Sequence, residues 1–412
     1  MKFAIKLTVT IALLIAMPAF GETLREKVLK DAVISAGLVR AAKTHVPTSE
    51  AMVLIGKELF ESKLLSLDKD TACASCHLDQ FGSADGIPNA LGTEANGVGL
   101  ERVSQGGDII PRNTLPFWGR GGQGFNIFFW DGKVDNVDGK IQSQFIGQEP
   151  STDPLVVAVH IPPVEIGEMV TDTRENEARQ TEEVESATAI YELLAERIRK
   201  HPKLGSALAE ARALPVEQIT FLDAAEAIAA FIRMNFQLKP TKLHKFVFDD
   251  GMLSDEELSG GLLFYGRGRC SACHNGPYFS DFKFHAVAFP QLGFGKNGFG
   301  VDYGRFNVTL DYNDRYLFRT PPLFNVSKTS PYSHSGSVVG LSDAIRAHVD
   351  PLIYYDPDTM SLRERADFYE RLTLWANTPL KGIILDNKEI EEITVFLKTL
   401  EYFSDQKVRI VD

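Results

Sequence analysis

The chain has 412 residues, with 43 Lys and Arg against 55 Asp and Glu, a formal charge of −12 at pH 7. It is 44% hydrophobic and 24% charged, which excludes a wholly disordered chain and a multispanning membrane protein. The acidic balance argues against nucleic acid as the main partner, because phosphate binding needs clustered Lys and Arg.

In chain order, residues 1–21 stand apart. Lys2 and Lys6 give a positive start, Leu7 to Met17 is an apolar run, and Ala19-Phe20-Gly21 supplies small residues for a cut. This reads as a cleaved signal peptide, too short to span a membrane, and it predicts a periplasmic product. No later stretch approaches the ~20 apolar residues of a membrane span. Glu26 to Val39 has helical periodicity, and a short helix with the pair Leu59-Phe60 leads into Cys73-Ala74-Ser75-Cys76-His77. Residues 82–126 form a long Gly/Pro-rich loop. The acidic stretch 171–186 is a solvated excursion or a docking surface for a basic partner. Helices follow at Ser186 to Arg199 and Phe221 to Phe236. A second Leu-Phe pair, Leu263-Phe264, then leads into Cys270-Ser271-Ala272-Cys273-His274. Another Gly/Pro-rich loop covers 276–304. Leu341 to Val349 is a helix, and Asn387 to Phe403 is a final one, with Asn387 as its cap. Strands are hard to find.

The four cysteines are Cys73, Cys76, Cys270 and Cys273, and both pairs are C-x-x-C-H, the attachment signature of c-type haem. Two thiols on one turn of chain reach the two vinyl groups of one porphyrin, and the next residue offers imidazole to the iron. Two disulfides or one four-Cys zinc site are the competing readings. Neither explains why His follows both pairs. Two covalent haems are therefore expected, on His77 and His274. The repeated approach to each motif predicts a mainly α fold. It would have two cytochrome-c-like helical domains, residues 22–240 and 241–412, with long haem-covering loops and little strand.

Further phrases run in a fixed order: Pro111-Arg112-Asn113, Phe129-Trp130-Asp131-Gly132, Pro163-Val164-Glu165, Asp302-Tyr303-Gly304-Arg305, Arg319-Thr320-Pro321-Pro322 and Pro331-Tyr332-Ser333-His334-Ser335-Gly336. With the two Cys motifs they resemble the bacterial di-haem cytochrome c peroxidase family, including its MauG-type members. The resemblance implies that peroxide meets the N-terminal haem while the C-terminal haem passes electrons. It implies Glu165 as the acid–base group, expected to have a raised pKa, with Glu168 its nearby competitor. It implies Trp130 as an electron relay, whose plainer reading is a core residue clustered with Phe128 and Phe129. The family's sixth ligand to the second haem falls fourteen residues after His334, where this chain has His348. That ligand is Met in the peroxidases and Tyr in the MauG type, so His departs from both. Residues 78–129 contain no His, Met or Tyr to cap the first haem, which leaves it open at rest. An interdomain calcium would take the Asn113 side chain and the carbonyls of Thr329 and Pro331. His285 is expected near the second haem, and His334 as a donor beside it.

Three functions follow. One is peroxide reduction with electrons from a small periplasmic donor. The second is a MauG-like oxidase acting on residues of a partner protein. The third is a non-enzymatic di-haem carrier. A homodimer is one assembly the sequence leaves open.

Overall fold

The computed structural model describes residues 22–171 and 184–402. The leader 1–21 and nearly all of the acidic stretch 171–186 lie outside the described residues. The fold is mainly α, built on two crossed helix pairs. In the first, Glu50–Glu61 crosses Phe221–Asn235. In the second, Asp255–Tyr265 crosses Asn387–Lys398. Both crossings are made by a glycine. A Cβ on Gly56 would lie 1.9 Å from the carbonyl oxygen of Ala227, and one on Gly260 would lie 1.9 Å from that of Glu392. Backbone meets backbone there, so any larger residue would push the helices apart. Four residues after each glycine, Phe60 and Phe264 are fully buried. The weak repeat in the sequence is thus a repeated helix crossing in front of each Cys motif.

The two pairs share one continuous apolar core. The helix Leu24–Ser35 lies against Asp255–Tyr265, with Leu29 filling the space left by Gly261. Near the other end of the chain, the Tyr402 ring meets Trp118 edge-on at 4.9 Å. The long loops interlock. The Asn89 amide donates to the Leu292 carbonyl at 3.1 Å, and Arg112 forks onto Asp302 at 2.7 and 2.9 Å.

Element ends depart from the sequence reading in ways that local chemistry explains. The first helix stops at Ser35, because Gly37 adopts φ +94° and turns the chain. The last helix is capped by Asp386 and not Asn387: the Asp386 carboxylate accepts from Glu389 N at 2.9 Å, and Glu389 accepts from Asp386 N at 3.0 Å. A small antiparallel sheet was not foreseen. It joins Ile127–Phe128, Val134–Val137 and Lys140–Gln142. Its hairpin turns on Asp138-Gly139, both at positive φ, the dipeptide such a turn favours. A second pair, Phe284–His285 with Phe318–Arg319, holds the two halves of the C-terminal loop region together.

Candidate active site

No disulfide joins any of the four cysteines. Among the described residues, the one group of His, Cys, Asp and Glu close enough to share a metal is Cys273, Asp281 and His285, so the four cysteines do not converge on zinc. Cys73–Cys76 form one helical turn, closed by His77 N donating to Cys73 O at 3.1 Å. The second motif makes the same closure, His274 N to Cys270 O at 2.9 Å. Burial pushes the Cys73 and Cys270 thiols up to about 12. They are neutral at physiological pH, which suits thioether formation and not thiolate coordination.

The histidines are set for iron. His77 Nδ1 bonds to Ser83 O at 2.9 Å, His274 Nδ1 to Phe279 O at 3.0 Å, and His348 Nδ1 to Ala344 O at 2.7 Å. Each carbonyl accepts a hydrogen bond from Nδ1–H, which leaves Nε2 as a bare lone pair, the usual support of a metal-bound imidazole. Burial lowers all three pKa values, so the rings are neutral. These residues fit haem at both motifs.

The surroundings of the two motifs differ. At the second, the imidazoles of His274 and His348 face each other with centroids 6.3 Å apart. One iron between two nitrogens needs roughly that span, two ~2 Å bonds plus about 1 Å from each nitrogen to its ring centre. Helix Leu341–Val349 presents His348, and Trp375 Nε1 braces it by donating to the His348 carbonyl at 2.8 Å. Both rings line an apolar cavity of about 200 Å³ with Cys270, Cys273 and Trp130. His285 and His334 line it too; His285 bonds to Asp281, and His334 bonds to Gln291 while stacking on Phe318.

At the first motif, His77 stacks on Phe117 at 3.7 Å and touches Phe60. No other described imidazole is in ring contact with it. Arg102, fully buried, ties down the Cys turn by donating to Ser75 O at 2.8 Å and to the carbonyls of Leu91 and Gly92. Nothing in the sequence pattern marked Arg102. Two acids stand beside this motif on the turn 165–170. Glu165 is ion-paired with Lys133. Burial pushes its carboxyl up, but Lys133 and Lys296 outweigh that and leave it below its ordinary value. This corrects the expectation of a raised pKa for Glu165. The raised acid is Glu168, pushed up to about 7 by burial and by the charge of Glu165. Gly92 lets the acidic turn close in: a Cβ there would lie 1.8 Å from Gly167 O, and Thr93 N donates to that carbonyl at 3.0 Å.

Trp130 lines the cavity at the second motif. Hydrogen bonds hold it. Its Nε1 donates to Asn113 O at 2.8 Å, and its carbonyl accepts from Arg319 N at 2.8 Å. Arg112, between Asp131 and Asp302, fixes the same segment. Lys133, three residues on, reaches Glu165. The short FWDGK run therefore connects the acid of one site with the cavity of the other. Asn113, Thr329 and Pro331 all line that cavity. The Asn113 amide donates to Pro331 O at 2.6 Å, so that pair is satisfied within the protein.

A mainly helical chain with two C-x-x-C-H turns and bare imidazoles is a di-haem c-type protein. Residues 50–251 match the family model for di-haem cytochrome c peroxidase. The cytochrome c551 peroxidase of Pseudomonas aeruginosa is 28% identical over 307 residues, spanning 73% of this chain and 72% of the relative. The methylamine utilization protein MauG of Methylorubrum extorquens is 24% identical over 332 residues, spanning 78% and 77%. Among solved structures, the diheme peroxidase BthA from Burkholderia thailandensis superposes with a TM-score of 0.63 at 19% identity, over 89% of both chains. A MauG-like protein associated with microbial copper homeostasis gives 0.62 at 22% identity, over 89% of this chain and 92% of the other. The chain belongs to the di-haem cytochrome c peroxidase and MauG family. It is an oxidoreductase with two c-type haems that uses peroxide, and the carrier hypothesis falls. Among the described residues, no helix is long and apolar enough to cross a membrane.

Proposed function

We propose that the chain reduces hydrogen peroxide at the first motif, with electrons passing through the second. The two helix pairs then serve as two cytochrome-c-like domains dividing near residue 240, with Leu24–Ser35 docked on the second. The observation that carries the reading is the inequality of the two sites: His274 faces His348, whereas His77 faces no second imidazole among the described residues. Cys73, Cys76 and His77 would hold one haem, and Cys270, Cys273, His274 and His348 the other. The haem at the first motif supplies an iron that binds and reduces peroxide.

The chain's own residues move the protons, and the two consumed per peroxide come from solvent. Hydrogen peroxide takes two electrons and two protons to give two waters. Glu165, held ionised by Lys133, accepts a proton from one peroxide oxygen and returns it to the departing one. Glu168 keeps a proton beside it up to about pH 7. Trp130, fixed at both its indole nitrogen and its carbonyl, is the electron path between the two sites. Calcium would take the Asn113 side-chain oxygen and the carbonyls of Thr329 and Pro331 in place of the present Asn113–Pro331 hydrogen bond, and would tie the two halves at that path. The periplasmic setting rests on the composition of residues 1–21.

The absence of His from residues 78–129 favours a second reading, partner-protein oxidation of the MauG type, because the first haem needs no priming. The test mixes the oxidised protein with peroxide, alone and with a reduced small c-type cytochrome. Rapid reaction, with the cytochrome oxidised catalytically, is expected. A peroxide reaction that leaves the cytochrome reduced would overturn the peroxidase reading in favour of the second.

A further inference from the structure

Two guanidinium groups, those of Arg319 and Arg120, are buried with no carboxylate among the described residues to meet them. Arg319 is 1% exposed. Its Nε donates to Phe129 O at 2.9 Å and its Nη1 to Thr320 O at 3.3 Å, but Nη2 has no partner among the described residues. Arg120 is 6% exposed; its Nη2 reaches Pro116 O at 3.4 Å and its Nε has no partner. Elsewhere buried arginines meet carboxylates, Arg112 on Asp131 and Asp302 and Arg305 on Asp135, or several carbonyls at once, as Arg102 does with Ser75, Leu91 and Gly92. Arg120 instead feels the charge of Arg319. Burial, and for Arg120 also Arg319, holds both down to about 9. A guanidinium taken out of water and left without an anion is costly, and carbonyl contacts return only part of that cost. An anion from outside the polypeptide is the missing member.

Arg319 lines the cavity that Cys270, His274 and His348 also line. The rings of Phe125 and Phe282 each lie 5.8 Å from its guanidinium and keep water away. A porphyrin tethered through its vinyl groups carries its two carboxylates on another edge. We propose that Arg319 is the counter-ion of a carboxylate of the second haem, donating to it through Nη2. Because Arg319 also donates to the carbonyls of Phe129 and Trp130, this contact ties the haem edge to the backbone that carries the indole. The inference rests on haem at the second motif and is independent of which residue is its sixth ligand.

The charge sets a measurable property. A guanidinium against the carboxylate keeps it ionised throughout the neutral range, so the haem potential is flat there. Without the cation the carboxylate takes up a proton within that range. The potential then falls as pH rises, because the ionised carboxylate stabilises ferric iron. The experiment is spectroelectrochemical titration of both haems, as a function of pH, in wild type, R319Q and R319K. We expect a new pH dependence of one potential in R319Q and a near-flat profile restored in R319K, which keeps the charge. Unchanged potentials in R319Q, or the same shift in R319K, would make Arg319 a backbone brace only and overturn the proposal. Should R319Q not accumulate, the resonance Raman propionate-bending band of R319K decides: it is displaced if Arg319 binds the carboxylate, and unmoved if it does not. The haem count of wild type is read first. Two haems with unchanged potentials defeat this proposal alone, whereas one haem per chain defeats it together with the cofactor assignment.

Discussion

The two Cys motifs begin alike and end differently. Each follows a helix whose glycine lets a partner helix cross, each closes on a buried Phe, and each fixes its His through Nδ1. Beyond that frame the second is finished with another imidazole and an apolar cavity, while the first is finished with two acids and a lysine. One fold unit thus serves two chemistries, because the porphyrin cradle uses only the helix crossing and the Cys turn. On the proposed reading, what would distinguish an electron-passing site from a peroxide-cleaving one is added by loops and by one later helix. Two neutral imidazoles suit a centre that changes charge without binding substrate. A carboxylate in a polar pocket suits a centre where protons must move.

The largest way to break this contrast is H348A. Removing the ring that faces His274 should convert the second haem from low-spin to high-spin. The visible and electron paramagnetic resonance spectra would then show two high-spin centres and no low-spin one. Helix Leu341–Val349 needs no ring at that position for its own stability, so both haems should stay attached. A persistent low-spin signal would remove His348 from the coordination sphere.

The second in size is E165Q, which removes the acid–base group and leaves shape nearly unchanged. Positioned acid–base catalysis contributes roughly 10²–10⁴-fold, so peroxide cleavage measured by stopped flow should slow by about that factor. The Lys133 charge is then unpaired, but the second haem's spectrum should not move. Wild-type rates in E165Q would leave Glu168 as the better candidate.

Much of this contrast could be read from the chain alone. The C-x-x-C-H motifs are local chemistry, so they needed no tertiary information, and the Leu-Phe pairs before them marked the helices correctly. His348 was found by register and lies opposite His274. What escaped was anything set by a partner distant in sequence. The sign of the Glu165 shift depends on Lys133, 32 residues away, and the fold alone brings the two together. Arg102 and Arg120 look like ordinary surface cations in the sequence, Arg319 stands in a family phrase that gives it no role, and burial is what makes all three unusual. The Asp138-Gly139 hairpin is the exception, since its dipeptide is a legible turn signal between two short strands.

The smallest effect sharpens the contrast at Glu168. Its carboxyl titrates at about 7 in the folded protein and near its ordinary 4.5 when unfolded. Between those values the native state binds more protons than the unfolded state, so stability falls as pH rises and then stays level above about 7. Gln carries no such proton, and E168Q should show no such fall. The variant should match wild type near pH 4 and melt at a higher temperature near pH 8, by thermal denaturation of the haem-loaded protein. The same substitution should leave the spectrum of the second haem alone, since the Glu168 charge acts on Cys73 and Cys76 and not on Cys270. Equal melting temperatures at both pH values would mean that Glu168 is solvated like a surface acid. Of the two acids on the turn 165–170, Glu165 alone would then distinguish the first site from the second.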